Sequence, residues 1–187
     1  MSTYSWNAKE YEKFSSAQQK WARELIQKLE FKGTEDVLDL AKNRYPSKHY
    51  SNLSFLIMDA SNLLFTEQFD VVFSNAALHW VKNHKPVVEG LYRSLKSGGK
   101  ILLQMGGEGN AEGILSVLDK LKKSKEWKKY FTGFDLPYGF LGVEEYQGLL
   151  DESGFIINRV ELLPKDMEHD GVLGLQGWIG STWLPYL

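Results

Sequence analysis

Four short apolar runs, at residues 36–40, 53–58, 69–74 and 100–105, constrain the fold of this chain more than any other feature. Each is rich in β-branched or aromatic residues, and none alternates cleanly between apolar and polar. Strands without a solvent face belong inside a mainly parallel sheet covered by helices. Between the third and fourth runs, Pro86, Val87, Val88, Leu91, Tyr92 and Leu95 recur at helical spacing and stop at Ser97-Gly98-Gly99, which predicts a β-α-β crossover. The first two runs are about a dozen residues apart, close to the minimum for a parallel crossover, so they are expected to pair. A five-stranded α/β sheet results if residues 155–163 form the last strand before Pro164.

The remaining segments read as helices and loops around that sheet. Trp6, Tyr11, Phe14, Trp21, Leu25, Ile26 and Leu29 make a helical leader ending near Gly33. Ile114, Leu115, Leu118 and Leu121 predict another helix, followed by an aromatic, glycine-rich surface excursion at 130–142. Residues 144–152 predict a helix closed by Ser153-Gly154, and an aromatic helix occupies 173–187. With 187 residues, 43% of them hydrophobic, and no repeat or linker, one domain is expected over 1–187: a helical leader (1–33), an α/β core (34–163) and a partial cap (164–187).

Composition narrows the chemistry. The absence of cysteine removes disulfides, thiolate metal sites and thiol nucleophiles, and suits a reducing cytoplasm. A net charge of -2 gives no global attraction to nucleic acid or acidic lipid. The lysines at 122, 123, 125, 128 and 129 belong to a helix whose other face is apolar, so they read as a solvated face. No metal is expected, because the histidines at 49, 79, 84 and 169 lack ligand spacing. There is no Gly-x-Ser-x-Gly elbow, and position 112 interrupts any dinucleotide motif begun at Gly107. The polar N-terminus and the lack of a membrane-length run predict a cytoplasmic protein without a membrane partner.

The string Phe69-Asp70-Val71-Val72-Phe73-Ser74-Asn75-Ala76-Ala77-Leu78-His79-Trp80, followed by Leu95-Lys96-Ser97-Gly98-Gly99-Lys100-Ile101-Leu102-Leu103, resembles the centre of class I S-adenosylmethionine-dependent methyltransferases. The nearest branch is similar to trans-aconitate methyltransferases, which act on small carboxylic acids. Residues 6–11, 56–64 and 178–186 resemble the same branch in the same order. The resemblance implies a Rossmann-like fold and S-adenosylmethionine as cofactor. It also implies cofactor-binding roles for Asp39 near the ammonium group, Asp59 on the adenine amino group with Ala60 beside the ring, Asn75 and Ala76 at the methionine end, and Trp6 and Tyr11 from the leader. His79 and Trp80 resemble residues facing the methyl acceptor, and Trp178, Thr182 and Trp183 resemble the cap over it. An acceptor carboxylate is already ionised, so no general base is needed, and alignment with exclusion of water does most of the work.

Two departures accompany the resemblance. Asp39-Leu40 runs directly into Ala41-Lys42-Asn43-Arg44-Tyr45-Pro46, without the glycine-rich turn and the second acidic strand end that grip the cofactor in the family. Roughly thirty residues, one βα unit and a turn, are missing on this comparison. The family's last strand would fall after Leu187, leaving an aromatic C-terminal segment open to self-association. Two readings follow: a methyltransferase of small molecules, with carboxylic acids favoured, or a non-catalytic remnant serving as a binding or partner-stabilised domain. Lys42, Arg44 and Arg93 are generic candidates for steering an anion.

Overall fold

The computed structural model of the chain describes residues 16–40, 52, 54 and 56–183. Three parallel strands form the sheet in the order β1 (Val37–Asp39), β2 (Phe69–Asn75) and β3 (Leu95–Gln104). The central strand is the best buried. Val71, Val72 and Phe73 are shielded from solvent, as expected of a strand with partners on both edges. Helix α1 (Ser16–Ile26) precedes the sheet, and α2 (Lys85–Ser94) connects β2 to β3.

Helix α2 forms because Pro86 pre-sets the first turn and the apolar positions fall on one side. Val87, Val88 and Leu91 lose all contact with solvent there. Val87 and Leu91 pack with Val72, Leu78, Leu95 and Leu63, and Val88 packs with Tyr146 and Leu150 of helix α4 (Val143–Glu152). Ser94, buried at the end of α2, turns its hydroxyl back onto the Gly90 carbonyl at 2.7 Å, which satisfies it within the helix. A third cluster joins Tyr138, Trp178 and Trp183 to Ile114 and Leu115 of α3 (Glu112–Lys123) and to Leu175 and Ile179 of α5 (Gly171–Thr182).

The sheet differs from the expected one at two places. Strand β1 pairs with β2, with Val37 opposite Val71 and Asp39 opposite Phe73, rather than with the 53–58 run. The described residues of that run form no strand, and Leu56 and Ile57 are exposed. The physical reason is competition: β2 offers a ladder edge over a buried apolar surface, which the 53–58 run does not. Residues 155–163 also form no strand. They keep a partial inward-outward alternation, with Phe155, Ile157 and Val160 against the Val88 cluster and Ile156 in solvent, but have no ladder partner. Among the described residues the sheet is therefore three-stranded, not five-stranded. No described helix is long and apolar enough to cross a membrane.

Candidate active site

The C-terminal ends of the parallel strands converge, and ligands of open α/β sheets bind outside such ends. Adjacent strand ends stand about 4.8 Å apart. Asp39 closes β1, Asn75 closes β2 and Gln104 closes β3. Backbone bonds hold the edges level: Leu40 N–H donates to the Phe73 carbonyl at 3.0 Å, and Ala76 N–H donates to the Gln104 carbonyl at 2.8 Å. The Gln104 side-chain amide donates to Asn75 Oδ1 at 3.1 Å, so the carboxamides of two strand ends are joined. Ala76 has φ 55°, a left-handed conformation that costs a residue with a Cβ about 1 to 2 kcal/mol. That strain reverses the chain just past the strand and brings the next turn back over the strand ends.

The turn in question, Leu78–Trp80, carries His79. Gly106 N–H donates to His79 Nδ1 at 3.3 Å, and Gly139 N–H donates to the His79 carbonyl at 2.9 Å. His79 thus ties the loop after β3 to the 136–142 segment. Burial, with a smaller contribution from the His84 charge, pushes its pKa down to about 4. At neutral pH the ring is uncharged, and with Nδ1 accepting, the proton sits on Nε2, from which it can only donate. This is not the arrangement of a general base.

Aromatic rings wall the space beside His79. Tyr138 and Phe140 stack with centroids 5.2 Å apart and ring planes 10° from parallel, and Trp80 approaches Tyr138 at 4.6 Å. Gly139 between them is required by space. A Cβ there would lie 2.3 Å from the Val81 carbonyl oxygen, well inside contact distance.

Asp39 has neither a cation nor a hydrogen-bond donor on its carboxylate among the described residues. Its side chain still reaches solvent, yet the protein mass around it raises the carboxyl to about 6 by desolvation. Asp59 caps the short Ala60–Asn62 turn: its Oδ1 accepts from Ser61 N–H at 2.8 Å. The second carboxylate oxygen remains open to a ligand donor. No second acidic strand end exists among the described residues.

The structure therefore brings Asp39, Asn75, Ala76 and His79 to one end of the sheet, with Trp80 next to His79. Trp178 and Trp183 are buried, not lining open space, and reach the site through Tyr138, whose ring is 5.2 Å from that of Trp183. Trp6 and Tyr11, and the side chain of Thr182, lie outside the described residues. Lys42 and Arg44 do too, whereas Arg93 is spent on the Leu63 carbonyl. Sequence reasoning missed Gln104, Tyr138 and Phe140. The last two had a signal, since residues two apart in extended chain face the same side and only glycine separates them. A groove beside Phe140, lined by Glu108, Glu112 and Asp119, is acidic.

The model of a methyltransferase domain matches residues 15–103. Those residues, a little under half of the chain, are similar to a methyltransferase domain. The match takes in all three strands up to the penultimate residue of β3, together with Asp39, Asp59, Asn75, Ala76 and His79. An uncharacterized methyltransferase of Schizosaccharomyces pombe is 27% identical over 205 aligned positions, spanning 87% of this chain and 77% of that protein. Trans-aconitate 2-methyltransferase of Rhizobium rhizogenes is 25% identical over 158, spanning 82% of this chain and 58% of that protein. Several other methyltransferases are matched over less than half of their length. A Bacillus halodurans protein provisionally described as a methyltransferase shares the fold, with a TM-score of 0.51 and 22% identity over 72% of this chain and 65% of that one.

Proposed function

We propose that the chain is an S-adenosylmethionine-dependent methyltransferase that methylates a carboxylate oxygen of a small acid. The observation that carries the acceptor class is the state of His79. The histidine at the site is neutral with Nδ1 already accepting, so the acceptor must arrive as a nucleophile, and a carboxylate does so at neutral pH. The resemblance to a trans-aconitate 2-methyltransferase agrees with this class.

The donor set suits the cofactor at its two ends. Bound here, S-adenosylmethionine supplies a methyl group activated by its positive sulfur, which becomes a neutral thioether once the acceptor oxygen takes the methyl. Asp39, a desolvated carboxylate without a cation among the described residues, would receive the ammonium group. Asp59, through its oxygen not used by Ser61, would accept from the adenine amino group, with Ala60 beside the ring. Asn75 and the strained Ala76 would line the methionine end, and Trp6 and Tyr11 would cover it. His79 Nε2–H would donate to the acceptor. Trp80, Tyr138 and Phe140 would exclude water from the transfer, supported from behind by Trp178 and Trp183.

The reading includes a cofactor site reduced by an internal deletion after Leu40. Two observations support it. The yeast match needs 205 aligned positions although the whole chain has 187 residues, so the relative has residues that this chain does not. Asp39 is also the only acidic strand end among the described residues. Without a bidentate ribose acceptor, affinity falls by about 1.5 to 3 kcal/mol per lost charged contact.

Calorimetric titration with S-adenosylmethionine tests the reading, with binding expected at high micromolar to millimolar concentration. No heat at millimolar cofactor would leave only a folded, non-catalytic remnant. Methyl label transferred to an acid and released by mild alkali identifies an ester, whereas alkali-stable label would overturn the carboxylate acceptor.

A further inference from the structure

Lys165 follows Pro164 in the irregular segment after α4, and its ammonium group is held at the same end of the sheet as the site. Its Nζ lies 4.7 Å from the centroid of the Trp21 ring on α1 and 3.4 Å from Gln104 Oε1. Gln104 in turn donates to Asn75 Oδ1, so the ammonium is two hydrogen bonds from the end of β2. Lys82, Lys85, Lys96 and Lys123 each hold a carboxylate. Lys165 holds none among the described residues; its partners are a π face and a neutral amide oxygen.

We propose that Lys165 is the specificity-determining cation of the acceptor site, receiving a carboxylate of the acid to be methylated. The inference rests on the acid-acceptor reading above and deepens it. A neutral amide oxygen at 3.4 Å is a long and weak partner, and an ionised carboxylate displaces it because it adds the attraction of a full opposite charge to the ammonium. The Trp21 face keeps the ammonium in place while leaving its outer side open. Charge is then divided across the sheet: Asp39 at the β1 end attracts a cation, and Lys165 at the β3 end attracts an anion. Two ligands of opposite local charge are thereby sorted before either docks. Lys165 also connects the leader helix α1 to the segment after α4.

Binding of trans-aconitate, succinate and decanoate is measured by calorimetry on the full chain with S-adenosylhomocysteine present, in wild type and in Lys165→Gln and Lys165→Arg. The expected result is that at least one acid binds wild type and binds Lys165→Gln about tenfold more weakly, with Lys165→Arg restoring most of the affinity and the thermal midpoint unchanged. Raising salt is expected to weaken wild type and spare Lys165→Gln. Equal affinity in wild type and Lys165→Gln overturns the proposal, as does failure of all three acids to bind wild type. An equal loss in both variants with a lowered thermal midpoint shows a structural latch and overturns it too. The broader reading fails separately, through the absence of methyl transfer or of cofactor binding in wild type, which the acid titrations do not measure.

Discussion

The β2-α2-β3 unit and the β1 side of the sheet are built to different standards. In the first, Val72, Val87, Val88 and Leu91 have no solvent exposure at all, and the strands are seven and ten residues long. In the second, the strand has three residues, Val37 is 41% exposed, and Leu56 and Ile57 lie in solvent. The well-packed unit carries His79 and Gln104 on the proposed acceptor side, together with Asn75 and Ala76, proposed to line the methionine end. The thin side carries Asp39 and, beyond it, the proposed deletion. The contrast teaches that the proposed acceptor side rests on the best-packed part of the sheet, whereas Asp39 rests on its thinnest edge.

Truncation in the two regions gives the largest contrast. Leu91→Ala leaves a void among packed side chains and is expected to cost about 2 to 5 kcal/mol, whereas Val37→Ala should cost less than about 1 kcal/mol. Urea midpoints measure both, and equal losses would break the comparison. Next comes Gly139→Ala, whose new methyl meets the Val81 carbonyl and displaces Tyr138 and Phe140. A loss of about 1 to 3 kcal/mol is expected. Methyl transfer should fall while calorimetry still shows cofactor binding; a parallel loss of both would mean that the two sides are not separable.

Asp39→Asn sharpens the other side of the contrast. Loss of the carboxylate is expected to weaken cofactor binding about tenfold, or about 1.4 kcal/mol. In wild type, affinity should decline as pH falls through about 6, where Asp39 takes up a proton, and the variant should lack that decline. The sign for stability is opposite. Desolvation raises the carboxyl from 3.8 to about 6, so its ionisation opposes folding increasingly as pH rises through that window. Without cofactor, Asp39→Asn should therefore melt higher than wild type above pH 6, and a lower melt would show that Asp39 has a folded-state partner.

The smallest effect concerns His79. Its pKa falls from 6.5 to about 4 on folding, so the unfolded chain binds the proton first and stability declines as pH falls from 6.5 towards 4. Between pH 7 and pH 6 the histidine contributes roughly 0.7 kcal/mol of that decline. Thermal melts of wild type and His79→Gln at the two pH values should differ in slope by that amount. Identical slopes would mean that the ring is not held neutral.

Much of the fold was legible because burial on both faces leaves a mark on composition. The runs at 69–74 and 100–105 and the stripe from Pro86 to Leu95 are strong apolar signals, and they mark the observed strands and helix, except that the helix ends at Ser94 and Leu95 already opens β3. The 53–58 run carries a similar signal, but a strand needs a ladder partner, and composition does not show which edge is available. Family resemblance singled out Asp39, Asn75 and His79, which the structure places at two strand ends and in the turn after one of them. Gln104, Tyr138 and Lys165 were not legible, because their placement depends on distant segments: Lys165 matters only once Trp21 and Gln104 are beside it, and neither is near it in sequence.

Strand β3 also carries an irregularity at its far end. Phe69 faces Leu95 and Val71 faces Lys100, so Asp70 alone stands opposite four residues, Lys96 to Gly99. Lys96 fastens this bulge to Asp36 and Asp70, while Gly98, at φ 78°, has nothing within 4 Å of where a Cβ would sit. The extra residues are thus anchored at the base and empty at the tip, at the end of the sheet opposite the site. A reporter or surface tether spliced beside Gly98 would orient the molecule with its strand ends outward, leaving cofactor and acceptor free to arrive.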